Sequence, residues 1–277
     1  MVRNSMTIRI GMNGRFFPGN WRPALNEIAF AERSDFEVLQ FRGQPEGLAA
    51  AHLGAPLEAV GEALKGAGIS ASMELLIRVT GAGQTPDGQT PCEMLEANLP
   101  AITELPCTHV HWHLAPAASM TEVQVRDLEA RLLPQFRRAV EIALDRGFRL
   151  GLEHNEPALK LFAPPASCAQ LLEQVEDLGL LWDFNHTAPE DLAAFRALGE
   201  RVMGLHIADT RLPETNEHLP LGLGTLDVAG YCKGLLEQRF SGPGILEIGG
   251  LPKSGGYGRD TDEALVDSAR RLREALV

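Results

Sequence analysis

The sequence predicts an α/β protein, a single (β/α)8 TIM barrel with its active site at the carboxyl-terminal ends of the parallel strands. Short apolar runs alternate with longer amphipathic stretches along the chain, which is the pattern of a parallel sheet. Eight such runs in 277 residues give about 35 residues per strand–helix unit, close to the ~30 or more residues of a βαβ element. Eight repeats at this total length favour closure into a barrel.

The predicted strands are mostly continuous apolar runs, as expected for strands covered on both faces. They span Ile8–Asn13, Phe36–Arg42, Ser70–Val79, Thr108–Leu114, Phe148–His154, Leu178–Phe184, Val202–Ala208 and Gly244–Ile248. A doubly wound open sheet is the minority alternative, because it would normally place a glycine-rich phosphate turn after the first strand. The stretch from Gly11 to Arg15 does not match that turn.

Helices are predicted between the strands, and several have a recognisable start. Thr90, Ser119 and Thr187 each precede a glutamate by three residues, which is the capping-box pattern of a helix N-terminus. Apolar residues recur at helical spacing in three later stretches, namely Leu57, Val60 and Leu64; Leu128, Leu132, Phe136 and Val140; and Leu265, Ala269, Leu272 and Leu276. Pro134 lies inside the second stretch, so a kink is predicted there. Since no linker or low-complexity segment interrupts the pattern, residues 1–277 are predicted to form one domain.

The composition predicts a cytoplasmic protein that binds neither nucleic acid nor membranes. Lys and Arg number 25 against 37 Asp and Glu, a formal net charge of −12, and no basic run offers a site for a polyanion. No apolar stretch approaches the roughly 18–20 residues needed to span a bilayer, and the first residues do not resemble a signal peptide. The four scattered cysteines show no Cys-x-x-Cys spacing, which favours free thiols in a reducing compartment.

Each of the last four predicted strands carries, near its carboxyl end, an ionisable residue where an apolar run would otherwise continue. These residues are Glu153, Asp183, His206 and Glu247. Burial of a lone carboxylate is expensive, and any one of the four could be a hydrogen-bonded core residue. Together, on consecutive strands and at equivalent heights, they indicate a metal site at the mouth of the barrel. Three carboxylates and one imidazole suit one divalent ion such as Mn²⁺, Mg²⁺, Co²⁺ or Zn²⁺.

With these residues the sequence resembles the xylose isomerase-like TIM-barrel superfamily. That superfamily contains sugar and sugar-phosphate isomerases and epimerases, inosose dehydratases and barrel-type AP endonucleases. The resemblance covers the whole chain, and its specific part is the Glu, Asp-x-x-His, His-x-x-Asp and Glu series from Glu153 to Glu247. A histidine followed by Gly-x-Gly at 218–224 adds to it.

The resemblance implies roles for individual residues. Glu153, Asp183, His206 and Glu247 would hold the metal, and the two glutamates would also be the acid–base pair. His186 would contact substrate, and His218 is a further candidate for that role. Ketose 3-epimerases have an arginine six residues after the strand-seven histidine. Arg211, five residues after His206, is the corresponding candidate for a hydroxyl or phosphate contact.

The chemistry that the resemblance implies is proton transfer next to a carbonyl. A metal chelated by the carbonyl and a neighbouring hydroxyl stabilises an enediolate, and one glutamate removes the proton on the adjacent carbon. Return of a proton to the opposite face gives epimerisation, and return to the neighbouring carbon gives isomerisation. Protonation of a departing hydroxyl would instead give dehydration.

Four further polar residues are candidates for roles at the site. His111 and His113 lie two residues apart and point to one face of their strand, where they contact substrate or a second metal, or are structural. Glu74 is a candidate substrate contact, or a surface or rim charge. Asp209 is predicted to orient a metal ligand through a hydrogen bond.

The leading interpretation of function is a metal-dependent isomerase or epimerase acting on a small sugar or sugar phosphate. A dehydratase of an inosose-type polyol is the alternative, and a non-catalytic sugar-binding barrel is less well supported. A trinuclear AP endonuclease would need a histidine on strand three, which is absent, and an aspartate where Asn216 stands. The resemblance also makes a homo-oligomer possible, since relatives commonly form dimers or tetramers.

Overall fold

The eight predicted strands form a closed parallel barrel in the computed structural model, which describes residues 7–17, 19–249 and 260–277. Neighbours follow chain order from β1 to β8, and β8 pairs with β1 to close the barrel. The predicted (β/α)8 architecture is therefore confirmed. The open-sheet alternative is wrong, because its sheet would have two free edges.

The strands agree with the predicted runs to within two residues at either end. They are β1 Arg9–Asn13, β2 Val38–Arg42, β3 Ser70–Val79, β4 Cys107–Pro116, β5 Arg149–Glu153, β6 Gly179–Asp183, β7 Val202–Ile207 and β8 Pro243–Leu246. The helices are α1 Ala24–Arg33, α2 Ala50–Leu53, α3 Leu57–Ala67, α4 Pro91–Glu104, α5 Glu122–Arg146, α6 Pro165–Gln174, α7 Leu192–Ala197, α8 Val228–Glu237 and α9 Asp262–Leu276. Short 3₁₀ turns follow β5 and β6 and precede β7.

Of the three predicted capping boxes, the one at Thr90 is confirmed. Its hydroxyl accepts from the Glu93 backbone N–H, and the Glu93 carboxylate accepts from the backbone N–H of Thr90. Helix α5 begins two residues later than the predicted box at Ser119. Thr121 caps it with Gln124 in place of the expected glutamate. Glutamine accepts the same hydrogen bond, so the prediction missed the neighbouring match.

The box predicted at Thr187 is wrong. Helix α7 begins only at Leu192. The Thr187 hydroxyl is buried, where it donates to the Asp183 carbonyl over 3.0 Å and accepts from Trp182 Nε1 over 2.9 Å. Tertiary contacts to β6 thus replace the local cap. Helix α5 is continuous through Pro134, and the kink stays a prediction.

The strand register staggers the residues at the barrel mouth. Asp183 pairs directly with His206. Glu153 pairs with Leu181, two residues before Asp183, and His206 pairs with Ile245, two residues before Glu247. The predicted equal heights hold only for the middle pair. A step of two residues keeps side chains on the same face of the sheet, so the stagger of a closed barrel leaves all four pointing inward.

The four cysteines are buried and free, which confirms the prediction of unpaired thiols. Burial raises the pKa of Cys92 and that of Cys232 to about 12, so both thiols stay protonated at neutral pH. Within the described ranges, no helix combines the length and the apolar character needed to cross a membrane.

Candidate active site

The four predicted ligands lie together at the carboxyl end of the barrel. Glu153 and Asp183 are the last residues of β5 and β6, His206 lies in β7, and Glu247 directly follows β8. One potential ligand atom from each lies within 4.8 Å of the others. The His206 imidazole is central, since its Nδ1 is 2.8 Å from Glu247 Oε2 and 3.2 Å from Glu153 Oε1.

The burial of this cluster favours a cation. Glu153 and Asp183 are each 1% exposed. Glu153 Oε2 and Asp183 Oδ2 accept no hydrogen bond from the described residues, although a histidine nitrogen lies 3.3 Å from each. Leaving buried carboxylate oxygens unsatisfied is costly. A divalent ion would satisfy both, and three carboxylates with one imidazole are a donor set that fits such an ion.

Opposing effects shift the pKa values within the cluster. Burial raises the pKa of both glutamates, but the charge of His113 and His206 beside Glu153, and of His206 beside Glu247, outweighs it. The pKa of Glu153 falls well below its usual range, and that of Glu247 falls to about 2. Burial lowers the pKa of His206, but both glutamates together hold it well above 6.5. Burial raises the pKa of Asp183, and the nearby histidines offset this only in part.

Metal binding at neutral pH is expected to release about one proton per chain. The raised pKa of His206 favours its protonated form in the metal-free protein, and a cation can bind at Nδ1 only when that nitrogen is bare. Metal and proton therefore compete, and the apparent affinity should rise with pH up to the pKa of His206. Calorimetric titration with Mn²⁺ in two buffers of different ionisation enthalpy measures the release. Equal observed enthalpies in both buffers would contradict it.

A cavity of about 350 Å³ opens above the cluster, a volume that suits a small ligand. His113, His186 and His218 all line it, as three of the predicted substrate contacts should. Glu74 also lines it. Its Oε1 lies 3.5 Å from His113 Nδ1, so Glu74 is not a surface charge.

His111 lies deeper than His113 and does not line the cavity. Its ring is 1% exposed, with Nε2 3.3 Å from Glu153 Oε2, and it packs edge-on against His206 with ring centroids 5.1 Å apart. The two histidines share one face of β4. His111 lies two residues further from the mouth of the barrel, so the two rings have different neighbours. His111 thus supports the cluster from within the barrel.

Arg211 is not brought into the cavity. Its side chain is 60% exposed and pairs with Glu217, whose Oε1 accepts from Arg211 Nε over 3.1 Å. Among the described residues, Arg42, at the end of β2, is the arginine that lines the cavity. Its guanidinium lies 5.3 Å from the centre of the Phe17 ring. Arg211, which was selected by its spacing from His206, therefore forms an ion pair within its own loop.

Asp209 holds a loop and does not contact the four ligands in the structure. Its carboxylate accepts hydrogen bonds from the backbone N–H groups of Thr210, Gly222 and Leu226. A Cβ at Gly224 would lie 2.3 Å from Asp209 Oδ1, which explains the second glycine of the Gly-x-Gly motif. The predicted orienting bond is replaced by a loop anchor, and this loop carries Asn216 and His218 into the cavity lining.

Sequence reasoning missed two side-chain amides and one backbone N–H group that contact the cluster. Asn13 Nδ2 donates to Glu247 Oε1 over 2.9 Å, and Gln40 Oε1 lies 3.0 Å from His206 Nε2. The Asn185 backbone N–H donates to Asp183 Oδ1 over 2.7 Å. Asn13 and Gln40 stand in apolar strand runs, so the signal that predicted the four ligands was present at these positions too.

Comparison with known proteins agrees with this geometry. A family model described as xylose isomerase-like TIM barrel matches residues 28–275. Among solved structures, 3-keto-D-glucoside 4-epimerase YcjR from E. coli, in its apo form, has a TM-score of 0.76 at 17% identity, over 97% of this chain and 100% of that chain. D-allulose 3-epimerase from Methylomonas sp. has a TM-score of 0.75 at 18% identity, over 97% and 98%.

A third solved structure holds a metal. The IOLI protein with a bound zinc atom has a TM-score of 0.75 at 15% identity, over 97% of this chain and 98% of that chain. No curated protein sequence matches this chain significantly. At identities this low, the structural similarities establish a shared fold.

Proposed function

The chain belongs to the xylose isomerase-like TIM-barrel family, and from this premise we propose that it is a divalent-metal-dependent isomerase or epimerase of a sugar or sugar phosphate. One observation carries the proposal. Glu153, at the end of β5, and Glu247, directly after β8, both reach the same His206 nitrogen beneath a cavity of about 350 Å³. A buried glutamate and a partly exposed one at the same centre suit a reaction that removes a proton and returns one.

Glu153, Asp183, His206 and Glu247 would hold the metal. When bound, the ion supplies electrophilic polarisation of a substrate carbonyl. Polarisation acidifies the C–H bond on the adjacent carbon, and a positioned carboxylate can then take that proton.

The two glutamates would divide the proton transfer between them. One accepts the proton from the carbon next to the carbonyl, and the other returns a proton to the opposite face or to the neighbouring carbon. The pair must therefore hold one proton between them. His113 lies beside the pair, with its Nδ1 3.5 Å from Glu153 Oε2, and its positive charge stabilises the ionised form of Glu153. Burial lowers the pKa of His113, but the charges of Glu153 and Glu74 raise it overall to about 10.

The cavity wall would orient the sugar. His186 and His218 line the cavity with their rings 5.7 Å apart. His186 Nε2 also lies 3.3 Å from Asp183 Oδ2. His218 is held by Asn216, whose Oδ1 is 2.8 Å from its Nε2. These fixed polar groups can contact substrate hydroxyls, as expected of the few polar groups that orient a ligand in a pocket.

The proposal predicts solvent exchange at the carbon next to the carbonyl. Mn²⁺-loaded protein is incubated in deuterated water with a panel of free and phosphorylated ketoses, and deuterium uptake is followed by NMR. At least one sugar should exchange in the presence of the metal, and the chelator-treated protein is the control. Loss of water from an inosose, with no sugar exchanging, would identify the dehydratase instead. Failure of every sugar, with one ion bound per chain, would contradict the isomerase proposal.

A further inference from the structure

Gln40 is an amide buried inside the barrel beneath the four-residue cluster. It lies at the centre of β2, whose sequence is otherwise apolar up to Arg42, and it is 0% exposed. Its Nε2 has no hydrogen-bond partner among the residues that the structure describes. A buried amide with an unsatisfied donor is costly compared with an aliphatic side chain. The contact of the amide oxygen must therefore explain why a glutamine stands at this position.

That other end faces His206 across the barrel. Gln40 Oε1 lies 3.0 Å from His206 Nε2, a contact between β2 and β7. The opposite ring nitrogen, Nδ1, faces Glu247 and Glu153 at 2.8 and 3.2 Å. The two nitrogens of one imidazole therefore lie in different surroundings, a lone amide oxygen on one side and the carboxylates on the other.

We infer that Gln40 is a positioning residue that keeps the hydrogen on His206 Nε2 when the imidazole is neutral, so that the lone pair of Nδ1 points into the carboxylate cluster. A neutral imidazole has one N–H donor and one bare acceptor, and an amide oxygen can only accept. If Nδ1 kept the hydrogen, the bare Nε2 would face the Gln40 oxygen, placing two acceptors together in a buried site. The inference rests on the proposed metal site, because it names the His206 atom that would bind the ion.

Asn13 plays a parallel part for Glu247. Asn13 and Gln40 are direct partners in the pairing of β1 with β2, and Asn13 Nδ2 donates to Glu247 Oε1. That bond occupies one carboxylate oxygen and leaves Oε2 beside His206 Nδ1. Two paired amides on the first strands thus orient two ligands on the last strands.

The test compares Mn²⁺ binding by three variants, measured by isothermal titration. Gln40→Met keeps the approximate shape but cannot accept a hydrogen bond, and we expect affinity to fall by about 10–100-fold, as for other partners of metal ligands. Gln40→Glu keeps an acceptor and should bind within a few-fold of wild type. Ser72→Ala is the matched control, because Ser72 pairs with Gln40 in register and its buried hydroxyl has no described partner. It should leave affinity unchanged.

A second readout uses the wild-type protein, so it does not depend on a variant folding. Long-range ¹H–¹⁵N NMR of the Zn²⁺-loaded protein should show a hydrogen on His206 Nε2 and none on Nδ1. A hydrogen on Nδ1, or a folded Gln40→Met variant that binds Mn²⁺ like wild type, would overturn the inference while leaving the metal site intact. A wild-type protein that binds neither ion would overturn the proposed metal site and this inference with it.

Discussion

Replacing Glu247 with glutamine is expected to slow proton exchange by about 10²–10⁴-fold, the usual contribution of a positioned acid or base. Glutamine has nearly the same shape, and its amide oxygen can still accept the bond that Asn13 Nδ2 donates to Glu247 Oε1. It cannot take up or return a proton. The loss should therefore fall on chemistry, with little change in fold.

Because Glu247 is also a predicted ligand, metal content must be measured alongside deuterium exchange. The variant is assayed at saturating Mn²⁺, with the bound ion counted by elemental analysis. Glu62→Gln, at an exposed position on α3, is the control and should match wild type. Exchange that persists near the wild-type rate in the metal-saturated Glu247→Gln variant would show that the two-glutamate mechanism is wrong.

Replacing Asp183 with asparagine is expected to weaken metal binding without reducing the stability of the metal-free protein. Asp183 is 1% exposed, burial raises its pKa, and Oδ2 lacks a hydrogen bond within the described structure. A raised carboxyl pKa means that the ionised form costs stability at neutral pH, a cost absent only at acidic pH where the group is protonated. Removing the charge should leave the metal-free protein at least as stable as wild type.

With metal bound, the wild type should instead be more stable than the Asp183→Asn variant. An ion present at 1,000 times its Kd stabilises the folded wild type by about 4 kcal/mol, and each kcal/mol raises Tm by about 2–4 °C in a chain of roughly this size. The Asp183→Asn variant, with one ligand charge missing, should gain much less. Thermal unfolding with chelator and with Mn²⁺ measures both effects, and Asp127→Asn, exposed on α5, is the control. A metal-free variant less stable than wild type, or one that gains the full metal effect, would contradict this.

Local sequence patterns were sufficient to predict the barrel and its four central residues. Strand positions follow from apolar runs of the right length, which depend on neighbouring residues alone. Glu153, Asp183, His206 and Glu247 were predicted as ligands because they interrupt such runs. The (β/α)8 fold then places the ends of its parallel strands at one mouth, so their proximity required no detailed geometry.

The loop conformations around the cavity could not be predicted in this way. Arg211 was selected by its spacing from His206, but its loop turns so that the guanidinium meets Glu217. Arg42 lines the cavity instead. Loop conformation depends on contacts such as those of Asp209 with distant backbone N–H groups, and these are set by packing.

The sequence by itself determined the fold class, the strand order and the set of residues able to hold a divalent ion, because each depends on short-range patterns and on the regular geometry of a parallel barrel. Only the tertiary structure decided which nitrogen of His206 faces the carboxylates and which residues support them. Gln40 and His206 are 166 residues apart, and they meet because closure of the barrel directs side chains from opposite strands into one interior. The stagger between strands then determines which of these side chains come into contact.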